Sequence, residues 1–134
     1  MSDGLRTRIA TGLVLAPLVI LAVLYLPPMG FATLVSMLML AAFWEWTRLS
    51  GLPERPVRAA AVAPLGLIFI GYALLPAAYL RVITLAACGF WALAAIWLGR
   101  PTFGAADTAA HRLIKLLAGA ILLSGAWAGA VYLR

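Results

Sequence analysis

The sequence has very little charge, and acidic residues are scarcer than basic ones, four against ten. Of its 134 residues only 10% are charged, whereas 66% are hydrophobic, and the mean hydropathy is +1.08. A soluble domain carries about 25% charged residues, so this chain could not cover its own surface in water. The composition predicts an integral membrane protein, a polytopic all-α bundle. At about 20 residues a span, the length allows about four to six transmembrane helices.

Two further absences narrow the function. The chain has one cysteine, Cys88, inside an apolar run; this excludes a disulfide within the chain, and we expect the thiol to be packed and inert. The net charge of +6 suggests nucleic acid, but the ten basic residues lie singly or in pairs between apolar runs. Because they form no basic face or tract, nucleic-acid binding is not indicated.

Five apolar stretches are visible, and we predict a transmembrane helix in each within a single membrane domain, 1–134. They cover residues 9–26, 31–46, 59–79, 82–98 and 116–133. The first follows two arginines as a signal peptide would, but its length and the lack of a cleavage site favour a retained span. The third contains Pro64 and Pro76, so its helical part could be only residues 60–75. The third and fourth could instead form one re-entrant hairpin. Polar segments at 48–58 and 99–115 are predicted to be loops.

The basic residues predict the orientation. If the N-terminus is inside, the inner segments hold eight of the ten basic residues, namely Arg6, Arg8, Arg48, Arg55, Arg58, Arg100, Arg112 and Lys115. The outer segments hold Arg81 and Arg134. Eight against two is a strong positive-inside bias, so we expect a cytoplasmic N-terminus.

Few residues could carry chemistry. Glu45 lies at the inner end of the second span, and Arg48 is three residues on, so a structural ion pair is expected. Arg48, Arg55 and Arg58 lie where anionic lipid headgroups would be met. Asp107 and His111 are four apart, but two ligands do not make a metal site. The residues by themselves indicate no catalytic and no metal site.

One part of the sequence resembles a known family. Residues 8–17, RIATGLVLAP, are followed by LYLPP at 24–28 and by AAFWEWTRLSGL at 41–52. This order is similar to the N-terminal portion of bacterial phosphatidate cytidylyltransferase, also called CDP-diacylglycerol synthase. The Trp-Glu-Trp followed by Arg-Leu-x-Gly-Leu is its most specific element.

The resemblance implies a multi-pass enzyme of the bacterial inner membrane that takes part in phospholipid biosynthesis. Its substrates would be CTP and phosphatidate, its products CDP-diacylglycerol and pyrophosphate, and its cofactor magnesium. The family's metal-binding aspartates and its Lys/Arg-rich signature lie in its C-terminal part, and nothing here matches them. The chain is therefore expected to correspond to a fragment of the family and to be inactive by itself.

Two other functions stay open on the sequence: a small transporter or channel subunit, and a non-catalytic membrane assembly factor. A transporter site usually lies near the midplane, whereas Glu45 is near a span end. Gly125 and Gly129 form a GxxxG, which lets helices approach closely. We expect a packing face within the bundle there, with a homodimer interface as the alternative.

Overall fold

A computed structural model describes the backbone of residues 3–99 and 108–134, and their side chains apart from those of 3–12, 15 and 98. The described chain is helical, in agreement with the predicted all-α class. The helices are α1 (Asp3–Tyr25), α2 (Pro28–Leu49), α3 (Arg55–Ala73), α4 (Ala77–Leu98) and α5 (Ala109–Tyr132).

Proline and threonine set where the helices begin. Pro28 opens α2 after Pro27, whose backbone is extended (φ −64°, ψ 156°), and Pro56 stands in the first turn of α3. Proline fits a first turn because the N–H that it lacks would have no helical partner there. At α5 the side chain of Thr108 accepts a hydrogen bond from the backbone N–H of His111, as an N-cap does.

Several helix limits differ from the apolar stretches. The third stretch, 59–79, is not one helix: α3 ends at Ala73, and α4 begins at Ala77, after Pro76. Both polar segments are shorter than expected, because α3 already begins at Arg55 and α5 at Ala109. Helices thus run on into polar sequence, since capping and proline stop a helix while loss of hydropathy does not.

Four helices of the described chain are long and apolar enough to cross a membrane. They are Pro28–Leu49, Arg55–Ala73, Ala77–Trp97 and Ala109–Tyr132. In α1 the described apolar part is shorter, Ala16–Tyr25, so the first predicted span stays a prediction. The orientation of the chain in the membrane also stays a prediction. Large apolar side chains such as Leu67, Leu93 and Leu117 are exposed, as lipid-facing residues are. The protein is a multi-pass helical membrane protein.

Helix α5 lies at the centre of the bundle, where it packs against α2, α3 and α4. Gly125 meets Ala87 of α4, and a Cβ at Gly129 would lie 3.4 Å from Cγ2 of Thr84. The GxxxG pair therefore packs within the bundle, as expected from its spacing. In the described part of the chain, α3 and α4 scarcely touch although a short turn joins them.

The buried core contains a hydrogen-bonded tryptophan. Trp127 of α5 is fully buried and stacks on Phe69 of α3, with the ring centroids 5.4 Å apart. Its indole N–H donates to Oγ of Ser36 (2.8 Å), and that hydroxyl donates to the carbonyl of Ala32 (2.8 Å). Both polar side chains thus have partners, which matters because lipid offers none. This contact fixes α2, α3 and α5 together.

Two features lie outside this core. Cys88 is exposed on α4, so the expected packing of its thiol inside the protein is wrong. The pattern of α4 could not reveal this, because around Cys88 the lipid-facing side of the helix is as apolar as its packed side. The second feature is Arg134, just after α5, whose guanidinium donates to the carbonyls of Val23 (2.9 Å) and Leu26. It thereby ties the last turn of α1 to the end of α5.

Candidate functional site

Helix α2 ends in a tight glycine turn. Gly51 has a φ of +92°. The N–H of Leu52 donates to the carbonyl of Thr47 (3.1 Å), and the N–H of Gly51 donates to the carbonyl of Arg48 (3.1 Å). This is a Schellman motif, which requires a left-handed residue just beyond the helix. The Arg-Leu-x-Gly-Leu element is therefore a helix stop that turns the chain toward α3.

Trp44 joins this helix end to α3 through Arg58. The guanidinium of Arg58 lies over the Trp44 ring, 4.2 Å from its centroid. Its Nη2 donates to the Trp44 carbonyl (2.6 Å) and its Nε to the hydroxyl of Thr47 (3.1 Å). Arg58 is buried, with 7% of its surface exposed. A buried arginine needs such partners, and these fix the position of its charge.

Trp46 joins the same helix end to α5. Its indole N–H donates to the carbonyl of Lys115 (2.8 Å), and its ring lies on Gly119. A Cβ at Gly119 would be 2.9 Å from Cε2 of Trp46, so only glycine leaves room for the ring. Two residues apart on a helix, Trp44 and Trp46 point to different sides, and each therefore contacts a different neighbour.

Arg112, in the first turn of α5, adds a third contact to the junction, by which we mean the place where the end of α2 meets α3 and α5. A Cβ at Gly51 would lie 3.2 Å from its Nε and 3.5 Å from its Cδ, so the arginine side chain packs against the glycine turn. The basic residues from three helices thus lie at one end of the bundle. We call this the basic end, and it comprises Arg48, Arg55, Arg58, Arg112 and Lys115.

Three of the four candidate residues from the sequence come together here. Arg48 Nη1 lies 3.8 Å from Glu45 Oε2, as the spacing suggested. Arg58 Nη2 lies 4.0 Å from Glu45 Oε1, a contact that the sequence did not indicate. Arg55, the first residue of α3, is exposed. Arg48 and Glu45 are exposed as well, whereas Arg58 is buried and joins α3 to α2.

Sequence reasoning missed Thr47, Gly51 and Gly119 as parts of this junction. Thr47 is fully buried and Ser50 is 2% exposed. A spacing of three residues places Trp44, Thr47 and the C-cap residue Ser50 on one face of α2. This spacing could have indicated that the face is packed against another helix. Nothing in the sequence marked Gly119, because its partner Trp46 belongs to another helix.

The described residues do not fit a resident magnesium ion. Among them, no three His, Cys, Asp or Glu side chains lie together so that they could hold a metal ion, and Mg²⁺ prefers oxygen ligands in octahedral geometry. The carboxylate of Glu45 faces two arginines. His111 has its Nδ1 2.7 Å from the hydroxyl of Thr108, and Asp107 lies outside the described residues.

The glycine turn gives a first testable prediction. Gly51→Ala should lower the free energy of unfolding by about 1–2 kcal/mol for the left-handed backbone alone, and by more because Arg112 must move. The measurement is reversible unfolding in mixed micelles of mild detergent and dodecyl sulfate. Gly71→Ala is the control, because a Cβ there has no neighbour within 4 Å. Equal stability of the two variants would contradict the role of the turn.

Comparison with known proteins gives the family. No solved structure matches the chain. A family model described as "Cytidylyltransferase family" matches residues 6–132, a range that contains every described residue of the basic end. The chain thus belongs to the cytidylyltransferase family, whose members are CTP-using transferases.

Proposed function

We propose that this chain is the N-terminal membrane portion of a phosphatidate cytidylyltransferase, and that it supplies the scaffold and a lipid-contacting surface. The enzyme would join CTP to phosphatidate in phospholipid biosynthesis, at a bacterial inner membrane. Family membership supports a CTP-using transferase. The resemblance of residues 41–52 points to phosphatidate as the acceptor, and the multi-pass helical fold suits a substrate that stays in the bilayer.

The basic end is the observation that carries the lipid side of the proposal. Arg48 and Arg55 are exposed there on adjacent helices, at the end predicted to be cytoplasmic. A basic residue near an anionic membrane surface contributes about 1 kcal/mol of attraction. The packing of α2 and α3 brings these two charges to the same end of the bundle, next to lipid-facing apolar side chains.

We assign the chemistry of the transfer to a part of the enzyme outside this chain. Both substrates are strongly anionic, so the reaction depends on electrostatic stabilisation of the transition state. The chain has four acidic residues, Asp3, Glu45, Glu54 and Asp107. Glu45 is paired with arginines, and the other three lie in three different segments of the sequence.

Conversion of radiolabelled CTP and phosphatidate to a lipid-soluble product tests the proposal. The purified chain with magnesium should give no product. Activity should appear when the C-terminal membrane segment of a related phosphatidate cytidylyltransferase is fused to it. In that fusion Arg55→Gln should raise the KM for phosphatidate about fivefold and leave the KM for CTP unchanged. Arg81→Gln, at the opposite end of the bundle, should change neither.

Three outcomes would contradict parts of this proposal. Product made by the chain alone, and abolished by Asp107→Asn, would place an active site within it. A fusion that folds and stays inactive would favour a non-catalytic assembly factor. An equal rise in KM for Arg55→Gln and Arg81→Gln would remove the basic end from lipid binding.

A further inference from the structure

Two arginines from different helices face one carboxylate at the basic end. Glu45 Oε2 lies 3.8 Å from Arg48 and Oε1 lies 4.0 Å from Arg58. A charge-assisted N–H···O⁻ bond is about 2.7–2.9 Å long, so both contacts are loose. The carboxylate lies between the two positive charges without closing on either.

The two arginines differ in mobility. Arg58 is held by the Trp44 carbonyl, the Thr47 hydroxyl and the Trp44 ring, and its side chain is 9% exposed. Its guanidinium is therefore oriented before any ligand arrives, which removes part of the entropic cost of binding. The side chain of Arg48 is 68% exposed and can close onto a ligand from the water side.

We propose that Arg48 and Arg58 form a binding site for a phosphate monoester group, and that Glu45 is a built-in competitor that occupies this site when it is empty. The inference rests on the proposed function, because phosphatidate carries such a group. A phosphate monoester has a charge of about −1.5 to −2 and three strong acceptor oxygens. It can therefore bond to both arginines at once, while the carboxylate of Glu45, 60% exposed, turns out into water.

A tethered competitor has a measurable consequence. While Glu45 occupies the site, only the remaining fraction of molecules can bind phosphate, and the apparent affinity is lower by that fraction. Removing the negative charge of Glu45 should then strengthen binding. If Glu45 were not a competitor, its loss would remove only the general repulsion of an anion, and the gain would be no larger than at another exposed glutamate nearby.

The experiment measures binding of short-chain phosphatidate to the protein in neutral detergent micelles. Glu45→Gln should bind about fivefold more tightly than the unchanged protein, and Arg48→Gln about fivefold more weakly. Glu54→Gln is the matched control: it removes the same charge from an exposed glutamate in the nearby turn between α2 and α3. Equal tightening in Glu45→Gln and Glu54→Gln would overturn the proposal, as would no tightening at all.

Further arms separate a lipid phosphate from a soluble one. If the site takes the lipid headgroup, the tightening appears with phosphatidate and is smaller with inorganic phosphate or CTP. Tightening confined to inorganic phosphate or CTP would assign the same site to a soluble phosphate and overturn its assignment to lipid. Circular dichroism of each variant checks that the helices are intact. Because no turnover is measured, this result is independent of whether the fused enzyme makes product.

Discussion

Gly125→Ala is expected to lower the free energy of unfolding by about 2–3 kcal/mol, near the upper range for an overpacked core. The added methyl group would collide with the Cβ of Ala87. An alanine Cβ cannot turn away, because it has no side-chain rotamer, and the Cα of Ala87 would be only 3.4 Å away. Helices α4 and α5 would have to separate. Reversible unfolding in mixed micelles measures the loss.

Gly129→Ala, one turn further along α5, is the matched control. Its Cβ would lie 3.4 Å from Cγ2 of Thr84, an ordinary contact. Alanine is favoured over glycine within a helix by up to about 1 kcal/mol, so this variant should be as stable as the unchanged protein or more so. Two variants that lose stability equally would show that α4 does not pack on α5 at Gly125.

Gly119→Ala should cause a loss of similar size, about 2–3 kcal/mol. The new Cβ would lie 2.5 Å from Cδ1 and 2.9 Å from Cε2 of the Trp46 ring. The ring cannot simply tilt away, because its N–H is bonded to the Lys115 carbonyl. Either the ring leaves and loses this bond, or α2 moves away from α5. The same unfolding measurement applies, together with the yield of folded protein.

A double variant identifies the cause. In a Trp46→Leu background no ring lies over residue 119, so Gly119→Ala should have much less effect there, and the difference gives the coupling between the two sites. Gly89→Ala serves as control, because a Cβ at Gly89 has no neighbour within 4 Å. The same loss from Gly119→Ala in both backgrounds would contradict the contact with Trp46.

The sequence predicted the number of helices and their class, because long apolar runs leave few alternatives in a membrane. It was less accurate where helices begin. The run at 59–79 contains two prolines with different roles, since Pro76 precedes a new helix while Pro64 lies inside one. Hydropathy alone cannot separate these two cases, because neighbouring polar groups decide whether a proline interrupts a span.

The candidate site was predicted only in its local part. Glu45 and Arg48 are three residues apart on one helix, and helical geometry brings them together. Arg58 reaches the same carboxylate from the next helix, and Trp46 reaches Lys115 across 69 residues of sequence. Contacts of this kind depend on how whole helices pack. A single sequence contains the partners without indicating which of them meet.

The scarce contact between α3 and α4 has a consequence for biosynthesis. While the chain is being made, α3 can pair with α2 as soon as both are in the bilayer, since the two pack together and Arg58 joins them. Helix α4 follows directly, but its main partner in the described chain is α5, which is synthesised after it. The nascent protein therefore passes through a stage in which α4 is inserted without its native neighbour, surrounded by lipid or by the insertion machinery. Helix α4 gains its packing partner when α5 enters the bilayer and Gly125 comes to lie against Ala87.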